Sequence, residues 1–405
     1  MSTAASLNRN TLMATIAAPR AKALQLVKQL LAIPGGSGRE QQVAQFIEAE
    51  LLAAGAEKSW FCYDKAHKRG PIADAEVGNL VVTIPGTVDA PRRLLMAHMD
   101  TVPLCVGCTP VRKGDVLESR EADRGLGADD RAGVAVVLNA ACQILRKKLP
   151  HPPLTLLFTI EEEIGLHGAK NLQTSLLKKP ALAFNWDGGS PTKLTIGAIG
   201  GYRMFLDVHG IASHAGVAPE RGASAITIAS LAIARLHKSG WLGKITKKKK
   251  LGTANVGVIN GGAATNVVCD SVQLRAEARS HDVAFLHDIV AQIEAAFRDA
   301  AAEVKNVDGN SGSVEITGRL DYEPFLLSQD EPSVQVAQQT LATLGLESEL
   351  SIANGGLDAN WLFRHGVPAV TFGCGQRNQH MATEQLHLES FYQACDIGLN
   401  IAVGT

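Results

Sequence analysis

Two histidines and three carboxylates in this sequence are of the types that bind divalent metal ions. They are His98, Asp129, Glu163, Asp187 and His380, and they come from five separate segments of the chain. Imidazole and carboxylate groups suit zinc-like ions, and five such ligands can hold two ions if one carboxylate bridges them. Taken singly, each residue is explained as well by a helix cap, a turn or a hydrogen-bonded histidine. The prediction of a two-metal site therefore depends on the fold bringing them together.

Two further acids lie next to these ligand candidates. Asp100 follows His98 by two residues and is placed to orient the imidazole rather than to bind metal itself. Glu162 precedes Glu163 and is placed as a general base that takes a proton from a water shared by the two ions. Together, the acids and histidines predict metal-assisted hydrolysis.

The elements around these residues predict an α/β fold. Apolar segments alternate with helical patterns, which indicates a mostly parallel sheet covered on both faces. In such sheets, ligands bind at the carboxyl ends of the strands. The glycine-flanked turn at 125–133 delivers Asp129 to the N-terminus of a helix. Three apolar segments run directly into the candidate residues: 93–97 into His98, 154–160 into Glu161, Glu162 and Glu163, and 181–186 into Asp187.

The length of 405 residues suits two domains, and the pattern changes near residue 199. Residues 199–320 predict two helices on a sheet of three or four strands, which is an inserted α+β domain. Residues 1–198 and 321–405 then form the two parts of a catalytic domain.

Composition excludes some functions and indicates a compartment. With 39 Lys and Arg against 40 Asp and Glu, the net charge of −1 gives no reason to expect a nucleic-acid or membrane partner. The lysine run 247–250 is interpreted as a solvated hairpin loop. Seven cysteines, an odd number, predict reduced thiols in a cytoplasmic protein, and Cys105-x-x-Cys108 lacks the second pair that a four-thiolate zinc site needs.

The motifs in order resemble those of the co-catalytic zinc exopeptidases and deacylases, a family that includes peptidase T, carboxypeptidase G and acetylornithine deacetylase/succinyl-diaminopimelate desuccinylase. The resemblance implies a zinc-exopeptidase-like three-layer catalytic domain with an inserted lid and dimerisation domain. The motifs that carry it are Ala97-His98-Met99-Asp100-Thr101-Val102-Pro103, Gly127-Ala128-Asp129-Asp130-Arg131-Ala132-Gly133, Glu162-Glu163-Ile164-Gly165, Asp187-Gly188-Gly189 and the late His380.

The resemblance also implies a role for each matching residue. His98 and Asp187 would hold one metal ion, and Glu163 and His380 the other. Asp129, joined to Asp130 by a cis peptide bond, would bridge the two ions. Asp100 would orient His98, and Glu162 would be the base.

Residues of the inserted domain match the family's lid motifs. His214 would polarise the scissile carbonyl, in its own or in the partner subunit's site, and Asn266 and Arg279 would bind the substrate backbone or carboxylate. Gly355 would lie in a glycine loop that lines the site. Without the resemblance, His214 is an ordinary loop histidine, Arg279 a solvent-facing strand residue, and the 355–358 segment a helix N-cap at Asp358.

The Gly-Ala-Asp-Asp turn and the Asp-Gly-Gly motif favour peptidase T-like proteins, which remove the N-terminal residue from tripeptides. Arg131, where lysine is more usual, and the short 100–129 segment depart from that pattern. The alternatives are an N-acyl amino acid deacylase or a carboxypeptidase with the same dinuclear site, or a metal-stabilised binding protein whose site is vestigial. We expect two divalent ions and favour Zn²⁺, although cobalt and manganese also suit these ligands. We also expect a small peptide substrate and a homodimer formed through the lid.

Overall fold

The computed structural model describes residues 15–404, which form nine α-helices and eighteen β-strands. The helices are α1 (Arg20–Ala32), α2 (Gln41–Ala54), α3 (Ala128–Lys147), α4 (His167–Lys170), α5 (Ala225–Lys238), α6 (Val283–Glu303), α7 (Pro332–Thr343), α8 (Asp358–Arg364) and α9 (Leu388–Val403). The strands are β1 (Phe61–Tyr63), β2 (Leu80–Ile84), β3 (Arg93–His98), β4 (Pro110–Lys113), β5 (Val116–Ser119), β6 (Leu154–Thr159), β7 (Leu182–Trp186), β8 (Lys193–Ala198), β9 (Gly200–His209), β10 (Gly243–Lys247), β11 (Lys250–Gly261), β12 (Ser271–Ser280), β13 (Ser313–Tyr322), β14 (Phe325–Leu326), β15 (Glu349–Ala353), β16 (Ala369–Phe372), β17 (Gln376–Arg377) and β18 (Gln385–His387).

The chain divides into two units. Among the described residues, the first unit contains those up to Ile196, Leu327–Ser351 and those from Leu357 onward. The second unit contains Gly197–Leu326 and Ile352–Gly356, so the chain returns to it briefly at the end of β15. None of the described helices has the length and hydropathy needed to cross a membrane.

The first unit is built on a sheet with the strand order β1-β2-β6-β3-β7-β16-β8. The four central strands, β6, β3, β7 and β16, are mutually parallel, and β2 and β8 flank them as antiparallel neighbours. This arrangement confirms the predicted α/β class with a mostly parallel sheet. A small antiparallel sheet, β17-β18-β5-β4, completes the unit.

Continuous apolar sequence explains why these strands occupy the centre. All six residues of β6 and all four of β16 are buried, which requires cover on both faces of the sheet. α3 packs against β3 and β7, and α7 packs against β7 and β16. Trp186 at the end of β7 stacks on Phe372 at the end of β16, with ring centroids 5.5 Å apart.

Parallel register aligns the carboxyl ends of the central strands. His98, the last residue of β3, pairs with Thr159, the last residue of β6, and Trp186 pairs with Phe372. The polar segments that follow β3, β6 and β7 therefore begin at one edge of the sheet. α3 also begins there, after Gly127, whose φ of 76° turns the chain into the helix.

The second unit is an α+β fold. Its sheet has the order β10-β11-β12-β9-β13, and every pair is antiparallel. α5 and α6 pack on each other and against one face of this sheet. Alternation in β9 buries Met204, Leu206 and Val208 in the core below the helices, because successive strand residues point to opposite faces.

The sheet of this unit has five strands, so the expectation of three or four was wrong. The strands without a sequence prediction are β10, which carries Lys244 and Lys247, and β13, which contains Gly318. Lysine and glycine are depleted in strands, so propensity gave little signal at either edge. The lysine run 247–250 forms the tight turn between β10 and β11, consistent with the hairpin interpretation.

Candidate active site

His98 ends β3 with its ring between two aspartates. Its Nε2 lies 3.2 Å from Asp129 Oδ1, and its Nδ1 lies 3.1 Å from the main-chain oxygen and 3.4 Å from Oδ1 of Asp100. The imidazole is only 3% exposed. Burial alone lowers the pKa of His98, but its hydrogen bonds with Asp100 and Asp129 outweigh burial and raise that pKa well above the usual value.

Asp129 lies between the two histidines predicted to bind different ions. One carboxylate oxygen is 3.2 Å from His98 Nε2, and the other is 3.4 Å from His380 Nε2. Asp129 has non-helical backbone angles, and its peptide bond to Asp130 is cis. The neighbouring Asp130 accepts N–H groups from His98, Gly133 and Gln376, so its carboxylate stabilises the turn.

Glu163 and His380 form a close pair at the same edge. His380 Nε2 lies 2.8 Å from Glu163 Oε2, and the His380 side chain is about half exposed. These contacts with Asp129 and Glu163 raise the pKa of His380 to about 10. Glu163 Oε1 is buried and has no hydrogen-bond partner among the described residues.

Asp187 and Glu162 join this cluster through His98. Ligand atoms of His98, Glu162 and Asp187 all lie within 4.8 Å of one another, as do those of His98, Asp129 and Glu163. Burial raises the pKa of Asp187 to about 8, with nearby carboxylates adding to the effect. Burial likewise raises the pKa of Glu162 well above its usual value.

These donors fit metal ions. The cluster contains more acids than bases, and burying several carboxylates together is unfavourable unless positive charge compensates. The orphaned Glu163 oxygen lacks the partner that a cation supplies. Imidazole and carboxylate donors from separate segments, converging within a few ångströms, form a candidate site for divalent ions.

Asp100 connects the histidine to the acidic segment. Its carboxylate accepts the backbone N–H groups of Glu162 at 3.0 Å and Glu163 at 3.2 Å, and the hydroxyl of Ser37 at 2.7 Å. The same residue contacts His98 Nδ1. One buried acid therefore positions an imidazole and two neighbouring glutamates.

The remaining predicted site residues belong to the second unit. His214 Nδ1 accepts the N–H of Gly216 at 3.2 Å, and the backbone oxygen of Asn266 accepts the N–H of Ala215. The Arg279 guanidinium on β12 pairs with Glu277, at 3.0 Å between Nη2 and Oε2. Gly355 lies just before the end of this unit and has open space at its Cβ position. Their roles toward a substrate stay predictions.

Sequence reasoning assigned no site role of their own to Ser37, Glu384 or Asp358, and the first two form hydrogen bonds with residues of the site. Ser37 holds Asp100, and Glu384 accepts the backbone N–H groups of Gly127 and Asp129. Asp358 accepts a hydrogen bond from Thr159 Oγ1, and its buried Oδ1 has no partner among the described residues. Burial raises the pKa of Asp358 to about 6. Two signals stood in the sequence: Glu384 lies four residues after His380, and Asp358 ends the 355–358 segment that matches the family's glycine loop.

Two solved structures are similar over nearly the whole chain. A tripeptidase from Staphylococcus aureus subsp. aureus Mu50 has a TM-score of 0.85 and 30% identity, covering 96% of this chain and 98% of that one. Aminopeptidase PepT from Bacillus cereus ATCC 10987 has a TM-score of 0.82 and 29% identity, covering 95% and 98%.

Two sequence relatives extend the comparison. The uncharacterised protein YqjE of Bacillus subtilis strain 168 is 33% identical over 321 residues, which are 79% of this chain and 82% of that protein. Carboxypeptidase G2 of Pseudomonas sp. strain RS-16 is 29% identical over 269 residues, which cover 63% of this chain but only 59% of that protein.

The sequence also matches the profile of peptidase family M20/M25/M40 over residues 94–403. That match spans about three quarters of the chain and includes every predicted metal ligand. The predicted family resemblance is thereby confirmed, and with it the assignment as a metal-dependent hydrolase. The chain belongs to peptidase family M20/M25/M40.

Proposed function

We propose that this protein is a two-zinc aminopeptidase that removes the N-terminal residue from tripeptides. The observation that carries the proposal is the position of Asp129 between His98 and His380, with Glu162 in the same cluster. The similar tripeptidase and PepT structures support the choice of substrate over other peptidase activities.

The ligands divide between two ions. His98 and Asp187 would hold one ion, Glu163 and His380 the other, and Asp129 both. When bound, such ions polarise a carbonyl group and lower the pKa of water. Zinc is our choice of metal because both imidazole and carboxylate oxygens are among its ordinary ligands.

The protein's own groups would position the substrate and move the proton. Glu162 lies in the cluster beside His98 and Asp187, and its ionised carboxylate would accept a proton from water and pass it to the leaving amine. His214 accepts an N–H at Nδ1, which leaves its proton on Nε2, where it can be donated to a carbonyl oxygen. Asn266, Arg279 and Gly355 are proposed to bind the substrate on the basis of the family motifs.

We also propose a homodimer formed through the second unit, in a cytoplasmic protein. Beyond Ala254, β11 pairs only with β12 among the described strands. Val258 and Ile259 on this free edge are 38% and 52% exposed. An exposed edge with apolar side chains is suited to pairing with a second copy. The cytoplasmic location is supported by seven free cysteines.

The test is a substrate panel with purified, zinc-loaded protein. We expect release of the N-terminal residue from a free tripeptide such as Ala-Gly-Gly. The same tripeptide with an acetylated amine should not be cleaved, because an aminopeptidase binds the free amine. The protein should lose activity with a chelator and regain it with zinc.

Two other outcomes would overturn the proposal in favour of its alternatives. Cleavage of N-acetyl amino acids without cleavage of free tripeptides would indicate a deacylase. Release of the C-terminal residue from an N-blocked peptide would indicate a carboxypeptidase, the activity named for the Pseudomonas relative.

A further inference from the structure

A cavity in the second unit lies between the β10–β11 hairpin and the first half of α6. Its volume is about 530 Å³, within the range of roughly 300–1,000 Å³ found for small-molecule pockets. Among the described residues, its lining consists of Trp241, Lys247, Lys248, Lys250, Phe285, Asp288, Ala291 and Gln292. We call it the hairpin cavity. Its lining has more cations than acids, although the whole chain has a net charge of −1.

The lysines of the hairpin are placed against the preferences of a hairpin. Lys247 and Lys250 pair directly across the two strands, where like charges are destabilising. Lys248 and Lys249 form the two-residue turn between them, with φ of 47° and 69°. Turns with positive φ at both positions favour asparagine and glycine, because other side chains are strained there. The folding of the hairpin gives no reason for lysine at these positions, and such departures from local rules are expected at functional sites.

The ammonium group of Lys247 is held beside an aromatic wall. Its Nζ donates to the main-chain oxygen of Ser239 at 2.9 Å and lies 5.3 Å from the centre of the Trp241 ring. The rings of Trp241 and Phe285 have centroids 6.0 Å apart. An ammonium group has three N–H donors, so Lys247 keeps two for a ligand. The cavity thus combines positioned cationic donors with an aromatic surface.

Acids neutralise only part of this positive charge. Lys250 Nζ lies 3.1 Å from Asp282 Oδ2 and 6.0 Å from the centre of the Phe285 ring. Asp288 belongs to the cavity lining. Four lysines at 247–250 against these two aspartates leave an excess of positive charge at the hairpin. An anionic occupant would relieve the repulsion between the lysines.

The arrangement of charge and rings indicates what this anion is. Lysine ammonium groups bind phosphate as point charges, and several of them can act together only on a ligand with several negative charges. A planar ring of the ligand can pack against the half-buried Trp241. A nucleic-acid strand is bound by cations spread along its length, whereas these lysines are grouped at one hairpin around a concave site of small-molecule size.

We propose that the hairpin cavity binds a small anion with two or more phosphate groups attached to a planar ring, which is the chemistry of a nucleoside diphosphate or triphosphate. The phosphate groups contact Lys247, Lys248 and Lys250, and the ring packs on Trp241. All residues of the cavity belong to the second unit. The proposal therefore does not depend on the proposed aminopeptidase function.

The test is calorimetric titration of the metal-loaded protein with ATP, tripolyphosphate and orthophosphate. We expect one ATP to bind per chain, tripolyphosphate to bind more weakly because it lacks the ring, and orthophosphate to bind most weakly because it has the least charge. Phosphate groups also bind metal ions, so the ATP titration is repeated with metal-free protein. Binding at the hairpin cavity should persist there, since no predicted metal ligand lines it.

Three variants separate binding from a structural role. Lys247→Gln/Lys248→Gln should weaken binding of ATP and tripolyphosphate by at least about ten-fold, because hydrogen bonds to charged groups are lost. Lys248→Asn/Lys249→Gly gives the turn its favoured residues, so it should weaken binding while keeping or raising Tm. Trp241→Leu should weaken binding of ATP but not of tripolyphosphate. Lys305→Gln is the matched control, on an exposed lysine of the same unit that does not line the cavity.

Each outcome supports or overturns the proposal. ATP binding that falls in both lysine variants, with Tm maintained and the control unchanged, would support it. Unchanged affinity in the lysine variants, an equal loss in Lys305→Gln, or binding that disappears with the metal would overturn it. An equal effect of Trp241→Leu on both ligands would overturn the assignment of a ring. No binding of ATP at millimolar concentration would overturn the proposal, and binding of a single-stranded RNA or of anionic vesicles in its absence would indicate a macromolecular partner instead.

Discussion

The buried carboxylate of Glu384 accepts the backbone N–H of Asp129 at 3.0 Å. It also accepts the N–H of Gly127 at 2.7 Å, and the Cys105 thiol points to it at 3.3 Å. Glu384 therefore holds the turn that presents Asp129 to both histidines. Groups that orient a metal ligand in this way affect affinity although they do not touch the metal.

Glu384→Gln should weaken metal binding by about 10- to 100-fold. A glutamine side chain has one oxygen that can accept an N–H group. Its amide nitrogen would therefore face the N–H of either Gly127 or Asp129, where Glu384 has its second oxygen. Competition with a chelator measures the affinity. Glu389→Gln is the matched control, because Glu389 is a half-exposed partner of Arg20. Wild-type affinity in Glu384→Gln would show that the turn keeps its shape without this acid.

Glu162→Gln should reduce kcat by at least about 100-fold, because an amide cannot accept the proton that general-base catalysis transfers. Metal content should stay at the wild-type level, since the ligand residues are unchanged. Steady-state kinetics and metal analysis of the same sample give both quantities. Wild-type-like turnover would remove Glu162 from the mechanism.

Asp100→Asn should cost more metal affinity than Ser37→Ala. The asparagine amide would oppose the N–H of either Glu162 or Glu163, whereas the alanine removes one donor and leaves both N–H bonds in place. Because the two residues act through one carboxylate, the double variant should resemble Asp100→Asn. Losses that simply add in the double variant would contradict this coupling.

Metal binding should release protons and stabilise the protein more strongly as pH rises. In the metal-free protein the pKa of His380 is about 10 and that of Asp187 about 8, so both groups carry a proton at pH 7 that a metal must displace. Both pKa values lie above the values for unfolded chains. Their contribution to stability is therefore complete below the unfolded pKa, near 6.5 for histidine and 3.8 for aspartate, and is lost as pH rises through the folded value.

Two measurements check this expectation. Metal-free protein, prepared with a chelator, is titrated with zinc in a calorimeter in buffers of different ionisation enthalpy. The heat of binding should depend on the buffer, and this dependence should be smaller in His380→Gln. The difference in Tm between metal-loaded and metal-free protein should widen from pH 6 to pH 9. A heat independent of buffer would contradict proton release.

Ile259→Lys should shift the protein from dimer to monomer, because a charge on the proposed contact edge opposes pairing with a second copy. Sedimentation velocity at several concentrations measures the change. Val307→Lys is the control, since Val307 is 66% exposed in the same unit but lies outside β11. A wild-type protein that sediments as a monomer throughout would refute dimerisation through this edge.

Local pattern predicted the elements that position the site. The apolar segments at 93–97, 154–160 and 181–186 form β3, β6 and β7, and their parallel register places the following residues at one edge of the sheet. Prediction failed at the lysine-rich β10 and at β13, where propensity gave little signal and pairing with neighbours decided the structure.

Residue types, apolar segments and the order of the motifs are local properties, and they were enough to predict the family, the α/β class and the set of side chains able to bind metal. Which distant groups support that set became visible only in the folded chain. Glu384 is 255 residues from Asp129, and Ser37 is 63 residues from Asp100. No local periodicity links such pairs; they meet because a buried N–H or carboxylate must find its hydrogen-bond partners inside the folded protein.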